Sequence, residues 1–215
     1  MKMMKKVTVI LASMVLLGTA AFAKNTSIGL TLSLPMESVT DTMTVNSVST
    51  KQTEKYSTIG IGIINVTGFT YVSADLSFLT KYTIVNANGQ SLSSTGSDWK
   101  NAGYSWMFAN MLGGYAFKIV DTGTMQFMIA PGVHMFMYSQ TYNTSYGSGR
   151  NLGLYLGAGA DAVFKYYFSG SLSVIGSLGF AYDFWGMDTA FSNYSDYMKY
   201  NNISFIPRIG IGFEY

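Results

Sequence analysis

The chain has 215 residues, of which 48% are hydrophobic and only 11% are charged, and it contains no cysteine. Ordinary globular proteins carry roughly a quarter of charged residues, so part of this surface is expected to face something other than water. The lack of cysteine excludes a disulfide framework and thiolate chemistry.

The N-terminus is predicted to be an export signal. Lys2, Lys5 and Lys6 precede the apolar run 7–17, and Ala-Phe-Ala at 21–23 has the small-x-small pattern of a cleavage site. The run is too short to span about 30 Å of hydrocarbon. We therefore predict a signal peptide at 1–23 and one domain at 24–215. Loss of three lysines leaves 10 basic against 11 acidic residues, so the composition gives no reason to expect a nucleic-acid partner.

The rest of the chain has no apolar run of 18 residues, which argues against a transmembrane helix. Several segments instead alternate apolar residues with polar or small ones at period two, as strands with one lipid-facing side do. Lipid admits only helices and closed barrels, so we predict an all-β, antiparallel up-and-down transmembrane barrel of about eight strands. The predicted outward residues are Ile28, Leu30, Leu32 and Leu34; Ile59, Ile61 and Ile63; Val72, Ala74, Leu76 and Phe78; Leu152, Leu154 and Leu156; Leu172, Val174, Leu178 and Phe180; and Ile203, Phe205, Ile209, Ile211 and Phe213.

Two segments fit this pattern less well. In 103–120, Tyr104, Trp106 and Phe108 suggest a lipid face, but the same phase places Asn110 and Lys118 in lipid, so a bulge at 110–114 is one solution. In 124–138 the outward set includes Pro131, and Pro207 lies on the last strand. Proline cannot donate to a ladder, so both residues either count against the assignment or mark bulges.

The connectors alternate in length. Short ones are predicted at 65–67, 121–123 and 169–170, and long polar ones at 35–56, 86–102, 139–151 and 186–202. Short periplasmic turns opposite four long extracellular loops are typical of such barrels.

The C-terminus resembles the signal that the barrel assembly machinery reads on its clients. Arg208, Gly210, Phe213 and the terminal Tyr215 fill the pattern of a polar residue, a glycine and two aromatic or apolar positions. With this ending, the mature chain resembles the small eight-stranded outer-membrane barrels, the group of OmpX, the OmpA transmembrane domain, OmpW and the opacity proteins. The resemblance implies the bacterial outer membrane, with its lipids and any lipopolysaccharide, as the location. It leaves the function open.

The strand phases place seven ionisable residues inside the barrel, where they would form a polar network: Asp75, His134, Asp161, Lys165, Asp183, Arg208 and Glu214. Such groups pair across a narrow lumen, which gives a plug; inward glycines could instead leave room for a pore. With one histidine, no histidine-based metal site is expected. No cofactor is expected either.

Three functions follow from these alternatives. The first is a non-catalytic surface protein that contacts host or cell-surface ligands through its loops. The second is a narrow channel for small or apolar solutes. The third is a lipid A-modifying enzyme that would use His134 with Ser139 or Ser105, although no compact His-x-Ser motif is present.

Overall fold

The computed structural model describes residues 26–45, 48–189 and 198–214. The predicted signal peptide at 1–23 and Tyr215 lie outside the described residues. Most of the described residues belong to strands, as period-two alternation predicts. The elements are β1 (Thr26–Ser33), β2 (Met36–Val45), β3 (Val48–Thr67), β4 (Thr70–Val85), β5 (Ser91–Thr95), α1 (Gly96–Asn101), β6 (Tyr104–Tyr115), β7 (Phe117–Asp121), β8 (Met125–Thr144), β9 (Gly147–Ser169), β10 (Leu172–Asp188) and β11 (Met198–Glu214).

The strands form one antiparallel sheet that closes on itself. β1 and β2 are two parts of one barrel strand, because both lie between β3 and β11. β5, β6 and β7 likewise follow one another along the gap between β4 and β8. β11 pairs with β1 and closes the ring. Within the described residues the barrel therefore has eight strands, and the predicted fold is confirmed.

The outward face forms an apolar belt around the end of the barrel that carries the tight turns at 68–69, 122–124 and 170–171, here called the short-turn end. Belt side chains are 37–68% exposed, whereas their neighbours in sequence are mostly buried inside. The predicted alternation is confirmed on β1, β3, β4, β10 and β11. The first turn is three residues later than expected, at Gly68, which has a positive φ of 60°. Belt residues include Leu30, Leu32, Ile59, Ile61, Leu76, Phe78, Phe117, Ile119, Ile129, Val133, Phe164, Tyr166, Leu178, Phe180, Ile209 and Ile211.

Two of the four connectors predicted as long loops, 35–56 and 139–151, are largely strand, and this part of the prediction was wrong. In the fourth, residues 190–197 are not described. β2 and β3 leave only 46–47 between them, and β8 and β9 leave only 145–146. β10 extends to Asp188, while β5 and α1 occupy much of 86–102. A 20-residue strand such as β3 is about 66 Å long at 3.3 Å per residue, which exceeds the height of a roughly 25 Å lipid-facing band even when tilted. The barrel wall thus continues beyond the belt at the opposite, hairpin end.

The face assignment of 103–120 also needs correction. Trp106 and Phe108 are buried inside the barrel together with Asn110, so these residues do not face lipid. β6 pairs with β8 without a register shift from Tyr104 to Gly114, which excludes the bulge considered at 110–114. The irregularity lies later, between Lys118 and Val120.

The prolines lie where ladders are interrupted. Pro35 separates β1 from β2, and Pro207 is on the stretch of β11 that faces this gap, between the pairs Arg208↔Ser33 and Phe205↔Met36. Pro131 faces the junction of β6 and β7, between the pairs Gly132↔Gly114 and Ile129↔Phe117. A missing N–H is tolerated at such breaks. No helix in the described part of the chain is long and apolar enough to cross a membrane.

Candidate functional site: the barrel interior

The centre of the interior is an ion cluster around Arg208. Its guanidinium donates to Asp75 from Nε (2.9 Å) and Nη2 (2.6 Å), and to Asp161 from Nη1 (3.0 Å). Tyr71 (2.5 Å) and Ser73 (2.8 Å) also donate to Asp161. All five residues are at most 6% exposed, although they come from β4, β9 and β11. The cluster therefore links three separate strands across the bore.

Two inward glycines make space for these charges. A Cβ at Gly62 would collide with the carboxylate of Asp75. A Cβ at Gly179 would collide with the carboxylate of Asp161 and lie 3.1 Å from Nη1 of Arg208. The glycines thus give room to side chains rather than to water.

A second polar chain crosses the bore nearer the hairpin end. His134 Nδ1 lies 2.8 Å from Asp183, and Asn202 donates to Asp183 (2.9 Å) and to Glu37 (3.1 Å). Asn110 donates to the other oxygen of Glu37 (2.9 Å). None of these five side chains is more than 2% exposed. The chain connects β8, β10, β11, β2 and β6.

An aromatic layer fills the bore beyond this chain. Tyr56, Trp106, Phe108, Phe136 and Tyr138 are buried, and their contacting ring pairs have centroids 5.2–6.4 Å apart. Ring contacts of this geometry add to the stability that burial supplies. Sequence reasoning missed this layer, because Trp106 and Phe108 were expected on the lipid side.

Three carboxylates lie at the hairpin end of the interior, on Asp41, Glu54 and Asp188. Tyr56 and Gln52 donate to Glu54, and Tyr138 donates to Asp188. Burial, with the nearby charges of Glu54 and Asp188, raises the pKa of Asp41 to about 7. Within residues 26–45, 48–189 and 198–214 no group of His, Asp and Glu is placed to hold a metal ion.

At the short-turn end Lys165 and Glu214 form an ion pair of 3.0 Å. Ser27 accepts a hydrogen bond from Lys165, and Tyr167 donates to Glu214 (3.2 Å). A cavity of about 330 Å³ lies at this mouth, lined in part by Lys165 and Glu214. Lys165 is 1% exposed. The pair therefore lies at the inner wall of a small entrance.

The structure places all seven predicted network residues inside the barrel, in three groups rather than one. Arg208, Asp75 and Asp161 form the first group, His134 and Asp183 belong to the second, and Lys165 and Glu214 form the third. Glu37, Asn110 and Asn202 were missed. Glu37 and Asn202 fell in segments interpreted as loops, and the predicted phase of 103–120 placed Asn110 on the lipid side. Of the predicted assembly signal, Arg208 and Gly210 face inward and Phe213 faces outward, while Tyr215 is not described.

The residues considered for hydrolase chemistry are not brought together. His134 faces the interior, where its ring is held by Asp183. Ser139 is five residues further along β8, with the opposite facing, and accepts a hydrogen bond from Arg150 (2.8 Å). Ser105 pairs with Thr141, further still from His134.

The closed ring, its apolar belt and its polar interior define a β-barrel of the outer-membrane type. OprG, an outer-membrane protein from Pseudomonas aeruginosa, has the same fold at 10% identity; the likeness covers 90% of this chain and 96% of OprG, with a TM-score of 0.52. The outer membrane protease OmpT from Escherichia coli is similar at 8% identity, over 90% of this chain and 98% of OmpT, with a TM-score of 0.51. These likenesses show the fold alone. No protein-family model and no curated protein matches the chain.

Proposed function

We propose that this chain is a non-catalytic surface protein of the bacterial outer membrane, with a closed bore and an interaction role at its hairpin end. The observation that carries the proposal is the filled interior. The ten polar side chains of the ion cluster around Arg208 and of the second polar chain, and the aromatic layer beyond them, are all nearly inaccessible to water. A continuous path for ions would need accessible polar surface along the axis. The interior of an eight-stranded barrel is about wide enough for side chains to fill it, so a plugged bore is expected.

The hairpin end supports the interaction role. Tyr146, in the tight turn between β8 and β9, is 99% exposed, and Leu92 on β5 is 70% exposed. Both lie beyond the belt, where lipid does not cover them. Exposed aromatic side chains of this kind are frequent contact residues in protein interfaces. Host or cell-surface ligands are the proposed partners.

Single-channel recording in planar bilayers tests the closed bore. Wild-type protein, shown to be inserted by its protection from protease, is expected to give no discrete conductance steps. A porin with an open bore, inserted in the same bilayers, serves to show that conductance would be detected. Discrete steps from the wild type would overturn the proposal in favour of a channel. An altered lipid A mass on expression in a host bacterium would instead favour an enzyme.

The interaction role is tested by adhesion. A non-adherent bacterial host that displays the wild type is expected to bind immobilised extracellular matrix or cultured cells. Tyr146→Ser should lower that binding several-fold, whereas Tyr115→Ser, exposed on the belt side, should not. Wild-type display without any gain in adhesion would contradict the role.

A further inference from the structure

Four exposed lysines lie on the outer wall beyond the belt, on neighbouring strands at the hairpin end. They are Lys51 and Lys55 on β3, Lys81 on β4 and Lys199 on β11, and we call them the lysine patch. Lys51 and Lys55 share the outward face of β3 with the belt residue Ile59, because all three positions have the same parity. Lys199 shares the outward face of β11 with Ile203 in the same way.

The register shows how closely these lysines are spaced. Lys55 pairs with Thr83 and Lys81 pairs with Ser57, so Lys55 and Lys81 are diagonal neighbours across β3 and β4. Such diagonal positions are about 7 Å apart. Lys51 and Lys199 both pair with Thr42, one on each side, which places them two strand spacings or about 10 Å apart.

Lys55 and Lys81 lie at the edge of the belt. Ser38 pairs with Lys55 on one side and with the exposed Ile203 on the other, so the backbone of Lys55 is level with that apolar residue. Lys51 lies four residues further from the belt, about 13 Å along the strand. The patch therefore begins at the height where hydrocarbon gives way to lipid headgroups.

One exposed carboxylate among the described residues lies close to the patch: Asp98 on α1 accepts hydrogen bonds from Thr95, the residue that pairs with Lys81. The acidic residues of β2 and β3 point inward, as Glu37, Asp41 and Glu54, and the described outward faces of β2, β3, β4 and β11 carry no Asp or Glu. None of the four lysines forms an ion pair with a described residue. At the short-turn end, by contrast, the exposed Lys118 is paired with Asp121. Within the described residues, positive charge thus exceeds negative charge on the outer wall at the hairpin-end rim of the belt.

We propose that the lysine patch binds the phosphate groups of an anionic outer-leaflet lipid, a phosphorylated glycolipid of the lipopolysaccharide class. This inference rests on the proposed location in the outer membrane. A phosphate bound by both Lys55 and Lys81 relieves the repulsion of like charges on these diagonal neighbours, and the lipid's acyl chains lie along Phe78, Ile59 and Ile203 below it. Each lysine near an anionic membrane surface contributes about fivefold in affinity, so the pair contributes about 25-fold.

The test measures the dissociation constant of lipopolysaccharide for the refolded barrel in zwitterionic detergent, by thermophoresis. Wild-type protein is expected to bind lipopolysaccharide at least tenfold more tightly than its dephosphorylated form. Lys55→Gln/Lys81→Gln should weaken binding about 25-fold, and Lys118→Gln, at the other end of the barrel, should leave it unchanged. Excess inorganic phosphate should not compete; effective competition would reassign the patch to a soluble anion and overturn the proposal.

Equal affinity of Lys55→Gln/Lys81→Gln and wild type would also overturn it, provided that both run as the compact, heat-modifiable band of a folded barrel. Because all substitutions are on the exposed outer wall, they leave the interior clusters intact. Conductance by the wild type would refute the closed bore but not the lysine patch. The two proposals therefore fail separately.

Discussion

Replacing Arg208 by methionine should strongly destabilise the barrel. The guanidinium compensates two carboxylates, Asp75 and Asp161, which are 4% and 2% exposed and lie 2.6–3.0 Å from its nitrogens. Removing one partner of a buried ion pair costs about 3–5 kcal/mol, because the remaining charge has neither water nor a counter-ion. Two carboxylates lose their partner here, although Tyr71 and Ser73 still donate to Asp161. We therefore expect a loss of at least about 3–5 kcal/mol in the free energy of unfolding.

Urea titration in phospholipid vesicles, followed by tryptophan fluorescence and gel mobility, measures this loss. The triple variant Arg208→Met/Asp75→Asn/Asp161→Asn removes the charges together and should recover most of the stability. Lys118→Met, which breaks an exposed pair, should change it by at most about 1 kcal/mol. An Arg208→Met variant that unfolds within about 1 kcal/mol of the wild type would refute this role of Arg208, and so would a triple variant no more stable than the single one.

Two further predictions concern the interior. Gly179→Ala should lower the free energy of unfolding by about 1–3 kcal/mol, because its methyl group meets Asp161 and Arg208. Gly176→Ala on the same strand is the control, because a methyl group there meets nothing within 4 Å. Equal urea midpoints for the two variants would contradict this prediction. The pKa of Asp41, about 7 against 3.8, means that the folded state keeps a proton that the unfolded state loses between those pH values, so this group lowers stability as pH rises from about 4 to 7. One pKa unit corresponds to about 1.36 kcal/mol, so Asp41→Asn should reduce this decline in the free energy of unfolding by at most about 4 kcal/mol. Thr42→Asn is the control. Urea titrations in which both variants show the same pH dependence as the wild type would refute the prediction.

The fold could be predicted from sequence where the two sides of a strand meet different solvents. Ile209 and Ile211 face lipid while Arg208 and Gly210 face the interior, so apolar residues alternate with polar or small ones along this strand. The same phases placed the network residues on the inner side. Which of these residues pair with each other could not be predicted from the sequence. Asp75 and Arg208, for example, are 133 residues apart and meet only through the strand order and stagger of the closed ring.

Sequence reasoning failed where both sides of a strand meet similar surroundings. Beyond the belt the outer wall faces water, so β2 carries Ser38 and Thr42 outside and Glu37 and Asp41 inside, all polar. No alternation of hydrophobicity remains, and the segment resembles a loop. The opposite ambiguity misled the interpretation of β6: Trp106 packs among other rings inside the bore, where an apolar residue is as well accommodated as it would be in lipid.

The position of Arg208 in the chain has a consequence for biogenesis. Asp75 and Asp161 are synthesised and exported well before the strand that neutralises them, and β11 is also the strand that closes the ring against β1. A product truncated before β11 would keep two carboxylates in its unfinished lumen and an unpaired edge on β1 and β10. Ring closure and compensation of these two carboxylates thus depend on one and the same strand, β11.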